Sequence, residues 1–586
     1  MPHTRKMKGA EALIRALEEE GVEYIFGIPG HANMQFLDAI HKGSSIKFML
    51  TRHEQGAVHI ADGYARVSGK TGVCMSSVGA GAANMLMGIG VASGGSSPVL
   101  AINGGIIGSM YGKGQLQATE RPEGKSDQSY VQVLQPLVKK AWVVERPELI
   151  PDAVHRAVRV AHSGRPGPVA MEVAWDIQSQ VCDYPDTSDW KREYAKRIRA
   201  GAEETRQAAK LLASAKCPVI LAGNGAVLSG AEPEVLRLAE TLGAPVATSY
   251  MSKGIIPGSH PLSAGMVGWL GHPAAHELLR EHADVVLAVG FRFSDESTSF
   301  WTEGLPFVPE NKFIQIDLVP EEIGRNYPVE VGLVGDAKAV LGDILDCLET
   351  LPPREGREQA APRLAEAIAR HEAMLELPQG VTSPVEPFQI AEAIRKVLPE
   401  NGILVTDTGN HSQYFAPYFK VNGRRRLICP GSWTPMGFSP AAVIGAKLAE
   451  PETPCMAVVG DGGFYMMCQE VITAVDFETP VVWVVFNNRT LNAIRLGQIS
   501  DYNNNIIGTE FKSAANFADM AKSFGAEGVR VESSDQLEEA LTFALNCGRP
   551  CVVDVVTQTD PILPQGAGDF LTPGQHIPTP MPRSHQ

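Results

Sequence analysis

Short apolar runs that end in turns or loops recur along this chain, in alternation with stretches of helical pattern. YIFGIPG, IKFMLTRHE, TGVCMSS, SPVLAING and PVAMEVA occupy the first third. CPVILAGNG, ADVVLAVG and NKFIQIDL follow in the middle, then ILVTDTGNH, CMAVVGDGG, PVVWVVFNN and PCVVDVV. Runs this apolar suit strands buried on both faces, and strands that alternate with helices build parallel sheets. The pattern predicts an α/β chain of three doubly wound parallel-sheet domains. Their expected bounds are residues 1–185, 186–350 and 387–560, with a Pro- and charge-rich linker at 351–386 and a Pro/Gly-rich tail or lid at 561–586. In such sheets ligands gather at the carboxyl ends of the strands.

Composition narrows the partners. The 586 residues are 44% hydrophobic and 20% charged, an ordinary globular balance. No segment has the ~18 uninterrupted apolar residues of a membrane helix, and the N-terminal stretch has no apolar signal core, so the expected address is cytoplasmic. A net charge of -15 argues against nucleic acid as a partner and reads as solubility, and the partner expected is a small-molecule substrate. Nine cysteines form no CxxC pair, which points to reduced, structural thiols.

The segment VVGDGGFYM places Asp461 between an apolar run and helical periodicity that resumes near Met466. Alone, GDGG is equally a helix cap with its turn and a holder of phosphate or metal. One helix and one strand further on come Asn487 and Asn488, and adjacent parallel strands bring both endpoints to the same sheet edge. The Asp461 carboxylate, the Asn488 side-chain carbonyl and a main-chain oxygen at Thr490 are the hard ligands Mg²⁺ takes beside phosphate. The amides of Gly462 and Gly463, at a helix N-terminus, suit the phosphate itself. In the first third, Glu54 opens a helix, where the macrodipole favours any carboxylate.

GDG followed by NN at this spacing resembles the signature of thiamine-diphosphate enzymes, and RHEQGAVHIADGYARVSG resembles the segment whose Glu serves the cofactor's aminopyrimidine ring. The resemblance runs from about residue 8 to 556 and is nearest the acetolactate synthase branch, with features of sulfoacetaldehyde acetyltransferase and benzaldehyde lyase. It implies a pyrimidine-binding, a central and a diphosphate-binding domain, with thiamine diphosphate and Mg²⁺ as cofactors. It implies that Glu54 activates the cofactor for ylid and enamine chemistry, that Met436 props the cofactor, and that the Thr434 carbonyl accepts from its amino group. The GIPGH loop with Gly30, and Asp407, Gly409, Asn410 and His411 in TDTGNHSQ, match cofactor-contacting loops, and Gln117 matches a substrate-side glutamine. His31, where synthases carry glycine, is either a structural turn residue or an acid-base group. GNGAVLSGAEPE in the middle third leaves open whether FAD or an ADP-like group binds there. In this superfamily Glu54 and the Asp461 site come from different subunits, so the resemblance implies a homodimer or homotetramer.

Three further positions depart from the synthase pattern. Glu296 in RFSDESTS stands where synthases hold the acceptor's carboxylate with an arginine, Trp175 replaces a lysine, and Gly497 replaces an acceptor-selecting tryptophan. Like charges repel, so these changes point away from a second 2-oxo acid as acceptor. The expected activity is C–C lyase or carboligase chemistry on a 2-oxo acid, 2-hydroxy ketone or 2-hydroxyacyl compound. The alternatives are acetolactate synthase proper, a related acetyltransferase, and a catalytically silent cofactor-binding paralogue.

Overall fold

The computed structural model describes residues 4–110, 113, 115–117, 130–185, 197–374 and 378–561. The expected tail at 561–586 lies almost wholly outside the described residues. Three six-stranded sheets, all parallel, confirm the α/β architecture. The first contains Tyr24–Gly27, Lys47–Leu50, Gly72–Ser76, Val99–Gly105, Lys140–Val144 and Val169–Ala174, in spatial order second, first, third, fourth, sixth, fifth. The central sheet contains Pro218–Ala222, Val246–Thr248, Ser263–Met266, Val285–Val289, Lys312–Asp317 and Val329–Val334, in the order third, second, first, fourth, fifth, sixth. The last contains Ile403–Thr406, Leu427–Ile428, Cys455–Gly460, Val482–Asn487, Glu527–Val531 and Cys551–Val556, with Cys455–Gly460 beside Val482–Asn487. A small antiparallel pair, Thr4–Lys8 with Val181–Pro185, closes the first unit. All nine cysteines are free, and no described helix is long and apolar enough to cross a membrane.

Two helices join the first sheet to the last. Helix α1 (Glu54–Ser68) starts where the His53 ring accepts from the Gln55 amide and stops at Gly69, whose φ of 74° ends the helix. The second of these is α4 (Ser439–Ala449), and four more helices matter for the site: α2 (Ala80–Asn84), α3 (Leu86–Gly94), α5 (Asp461–Met467) and α6 (Glu470–Asp476). Along the α1–α4 contact the backbones nearly touch, because a Cβ on Gly63 would lie 2.1 Å from the Ala442 carbonyl oxygen and one on Gly445 would lie 1.9 Å from that of Ile60. One hydrophobic core runs through this contact from Phe26 and Cys74 to Val405 and Trp483, while the central sheet keeps cores of its own.

A contact this close is sensitive to a single methyl group. Gly445→Ala is expected to push α4 off α1 and to cost about 1–3 kcal/mol, the usual range for overpacking a tight core. An unchanged urea midpoint would mean that the helices do not pack backbone to backbone.

Candidate active site at two sheet edges

Helix α5 begins at Asp461 itself, with Gly460 as its N-cap, so it starts five residues before Met466, where periodicity placed it. The glycines that hid the helix pattern are its second and third residues. Asp461 is only 2% exposed, and burial pushes its carboxyl up to about 6 although backbone amides pull the other way. The Gly462 amide donates to Oδ1 at 2.7 Å and the Arg489 amide to Oδ2 at 2.5 Å. Both bonds come from backbone amides, so the carboxylate is a buried anion suited to a cation.

The next strand ends in two asparagines that behave differently. Asn487 is buried, its side-chain amide donating to Ala515 O at 3.0 Å and to Asp554 Oδ1 at 2.9 Å. Asn488 is half-buried, and its Oδ1 accepts from the Thr490 amide at 3.3 Å. Arg489, at φ 59°, makes the sharp turn between them that wraps the chain around Asp461. Thr490 is buried, with its hydroxyl on Thr509 O at 2.9 Å.

The loop preceding α4 faces the same edge. A Cβ on Gly462 would lie 2.5 Å from Leu491 Cδ2 and 2.9 Å from Met436 Cε, so a side chain there would fill the space under the turn. Gly463 likewise lies against Val459 and Asp407. Asp407 does not point at a ligand position, as its loop match suggested: its carboxylate accepts from the amides of Thr408 at 2.9 Å, Gly437 at 2.9 Å and Ser439 at 2.7 Å. It braces the 434–439 loop, while burial raises its carboxyl to about 6. Beside it, burial lowers His411 to about 4, so its ring is neutral at pH 7. Among the described residues Thr408 Oγ1, Asn410 Oδ1 and His411 Nε2 are buried without hydrogen-bond partners. Unpaired polar atoms at a strand end are the expected mark of a polar ligand.

The first sheet presents a second set. Glu54, 9% exposed, accepts from Asn84 Nδ2 at 2.9 Å and lies beside Gly81, where a Cβ would be 2.9 Å from its Oε1. The Gly30 amide donates to Asn33 Oδ1 at 2.8 Å, and its Cα lies against Ser77, with 2.4 Å left for a Cβ. His31 is exposed and stacks on Trp175, ring centroids 6.2 Å apart and planes within 5°. Gln117 takes a left-handed φ of 65° against Gly79, which has no side chain to block it.

The structure does not bring these two sets together within one chain. Asn84 meets Glu54 at one end of the α2–α3 run, and Gly94 meets Ser432 and Trp433 at the other. Ten residues of nearly continuous helix therefore separate Glu54 from the exposed Thr434, about 10–15 Å at 1.5 Å per residue.

Family models for thiamine pyrophosphate enzymes match three segments: the N-terminal binding domain over residues 7–123, the central domain over 205–344 and the C-terminal binding domain over 407–555. The chain is 37% identical to a probable acetolactate synthase large subunit of Methanocaldococcus jannaschii, over 95% of this chain and 93% of that one. The chain is a thiamine-diphosphate-dependent enzyme of the acetolactate synthase-like branch. A probable acetolactate synthase large subunit of Methanococcus aeolicus is 36% identical, over 97% and 94% of the two chains, and the isozyme 3 large subunit of Escherichia coli K12 is 31% identical over 92% of each.

The enzyme also has a cavity of about 260 Å³ where its three sheets meet. Gly223, Asn224 and Gly225 of the GNG turn line it, and a Cβ on Gly223 would lie 2.2 Å from the Gly290 carbonyl oxygen, so both strand ends need glycine. Arg165, Arg292, Asp317 and Glu296 face the same space, as does Ser432 of the loop before α4. Burial first, and the neighbouring Asp295 second, push the Glu296 carboxyl up to about 7. A Cβ on Gly497 would meet nothing within 4 Å, so that position is open.

Two contacts escaped sequence reasoning, that of Asn84 with Glu54 and that of Glu470, whose carboxylate accepts from the Arg52 amide at 3.2 Å. Asn84 lies in a run of alanines and glycines, and Glu470 in a segment that reads as an ordinary amphipathic helix. Each is informative only once its distant partner is known.

Proposed function

We infer that this enzyme is a Mg²⁺-dependent C–C lyase and carboligase that assembles its active site from two copies of the chain. The observation that carries the reading is the buried Asp461 carboxylate, ringed by amides at a helix start and flanked by unpaired polar atoms. In this reading Asp461, the Asn488 side chain and the Thr490 carbonyl hold Mg²⁺. Gly462 and Gly463 offer amides to the diphosphate, with Asn410 and His411 beside it. Met436 would support the bound cofactor, the Thr434 carbonyl would be an acceptor for its amino group, and Gly30 would let the opposing loop come close. When bound, thiamine diphosphate supplies the electron sink for breaking and making a bond next to a carbonyl.

The protein's part is to orient and to move protons. Glu54 shares a proton with the cofactor's ring, and Asn84 fixes the carboxylate for that task. His31 and Gln117 stand on the substrate side, with Trp175 setting the plane of the His31 ring. Glu54 and Thr434 of one chain are too far apart to serve the same six-membered ring, which supports pairing each with the partner's complement in at least a homodimer. For the central cavity, Arg165 and Arg292 beside a glycine turn favour an ADP-containing group, FAD among them, which native mass spectrometry of the purified protein identifies by mass.

The relatives' names favour a second reading, acetolactate synthesis from two pyruvates. The half-buried Glu296, Trp175 and Gly497 favour a donor that is a 2-oxo acid or 2-hydroxyacyl compound and an acceptor without a carboxylate. A donor and acceptor panel, quenched in acid and read by mass spectrometry, separates the two because it reports the donor's adduct and the product together.

Asp461→Ala is expected to weaken retention of thiamine diphosphate by at least tenfold, the scale for losing a metal ligand or its support. If the variant keeps its cofactor through dialysis against chelator as the wild type does, Asp461 is a turn residue only.

A further inference from the structure

The helix Leu537–Asn546 ends at Cys547 and the strand Cys551–Val556 begins at Cys551, so the turn between them carries a thiol at each end. Of the nine cysteines these two are the closest in sequence, with Gly548, Arg549 and Pro550 between them. The turn folds back on itself. Gly548 takes a left-handed φ of 67° just past the Cys547 amide, which donates to Phe543 O at 2.9 Å, and the Cys547 sulfur lies 3.3 Å from both Ala544 O and Arg549 O. The Cys551 amide anchors the far end on the neighbouring strand, donating to Val481 O at 3.0 Å. Both side chains meet one apolar cluster, Cys551 fully buried within it and Cys547 half-buried against it.

The two thiols are hydrogen-bonding neighbours that differ in access. Burial first, then the adjoining Cys547 thiol and the Glu527 carboxylate, push the Cys551 thiol up. Its proton therefore stays on Cys551 and bridges toward the Cys547 sulfur, while Cys547 is the member of the pair within reach of solvent. A reachable sulfur backed by a second one is the arrangement that closes a disulfide once the first is oxidised.

We propose that Cys547 and Cys551 form a redox-active thiol pair that hydroperoxides oxidise to a reversible disulfide within the chain. In the first step the Cys547 thiolate attacks a peroxide oxygen: the O–O bond breaks, an S–O bond forms, and hydroxide leaves, giving a sulfenic acid on Cys547. The Cys551 sulfur then attacks the Cys547 sulfur, the S–O bond breaks, and the hydroxyl departs with the Cys551 proton as water. The two thiols have lost two electrons and the peroxide has gained them. A dithiol reductant reverses the step by exchange. The pair lies at the opposite end of the last sheet from the cofactor turn: Cys551 is in register with Val482 and Val556 with Asn487, so five residues of strand, about 17 Å at ~3.3 Å each, separate the two. Oxidation is therefore expected to leave cofactor retention unchanged.

The test treats the reduced full-length protein with hydrogen peroxide, blocks the remaining thiols and maps the peptides by mass spectrometry. In wild type the peptide holding both cysteines is expected to lose two hydrogen masses, to regain them with dithiothreitol, and to react about tenfold or more faster than Cys217, Cys347 or Cys468. Those three are half-buried like Cys547 and serve as controls within the same chain. Cys551→Ser is expected to halt the chemistry after its first step, so that dimedone, which traps sulfenic acids, labels Cys547. Cys547→Ser is expected to slow oxidation of the buried Cys551 about tenfold or more, because the reachable sulfur is gone. Oxidation of the pair no faster than that of the control cysteines overturns the proposal. So does a wild-type Cys547 that accumulates sulfenic acid without closing on Cys551, or one that bridges to any other cysteine. The wild-type measurement needs no substitution and decides the matter even where Cys551→Ser does not fold.

Discussion

Glu54→Gln is expected to leave folding and cofactor retention intact and to slow hydrogen–deuterium exchange at the reactive carbon of bound thiamine diphosphate by a factor of about 10²–10⁴, the usual worth of a positioned acid-base group. The substitution is nearly isosteric. Glu54 opens α1 behind the His53 cap and lies against Gly81 and Asn84, and the substituted side chain would keep an oxygen able to accept the 2.9 Å bond from Asn84 Nδ2. What it loses is a carboxylate able to share a proton with the ring, because an amide does neither half of that exchange near pH 7. Quench-flow followed by proton NMR measures the exchange directly, without a substrate and without assuming which reaction the enzyme performs. Equal rates in variant and wild type would reassign Glu54 to the helix macrodipole alone, the reading its sequence position allows by itself.

The limits of sequence reading here follow from where information about a fold resides. Inner strands such as Val285–Val289 and Cys455–Gly460 are covered on both faces, so their apolar runs are unbroken and legible. Several edge strands carry no such run: Val329–Val334 holds Glu330 and Gly332, and Leu427–Ile428 is two residues long. An edge strand faces solvent on one side and tolerates polar residues there, which removes the signal. Val246–Thr248 is internal but too short to read.

The site divides in the same way. The approach of Asp461 to the Asn488 turn follows from strand adjacency, and the Arg489 amide bond to Asp461 realises it. Asp407 shows the reverse, since its motif match pointed toward a ligand and its carboxylate is taken up by three backbone amides. A motif identifies a loop; which of its side chains turns outward depends on backbone that the motif does not encode. Asn84, Glu470 and the Gly445 contact are invisible for a related reason. Their partners are tens to hundreds of residues away, and nothing local marks them.

On the proposed reading, charge at the acceptor side sets the substrate, and the expected result is little acetolactate from pyruvate and faster turnover with an aldehyde or other acceptor that lacks a carboxylate. Glu296 faces the cavity shared with Ser432, two residues before Thr434, so its charge lies next to the cofactor-side loop. An unpaired carboxylate brought near another in a partly dry site costs several kcal/mol, and about 4 kcal/mol corresponds to a thousandfold loss in rate. The sign of the pH dependence follows from burial, which raises the Glu296 carboxyl to about 7. Below that value the group is neutral and the repulsion vanishes; above it the group is charged and the repulsion is complete. Residual acetolactate formation is therefore expected to rise as pH falls from 8 to 6, while turnover of an uncharged acceptor shows no such component. Glu296→Gln is neutral throughout, so it is expected to flatten that pH dependence and to raise acetolactate formation at pH 8. Efficient acetolactate formation by the wild type, with a pyruvate KM in the ordinary enzyme range and no dependence on Glu296, would mean that Arg292 or His31 holds the acceptor's carboxylate. The Glu296 substitution would then have been absorbed within the central cavity, leaving the reaction of the synthases intact.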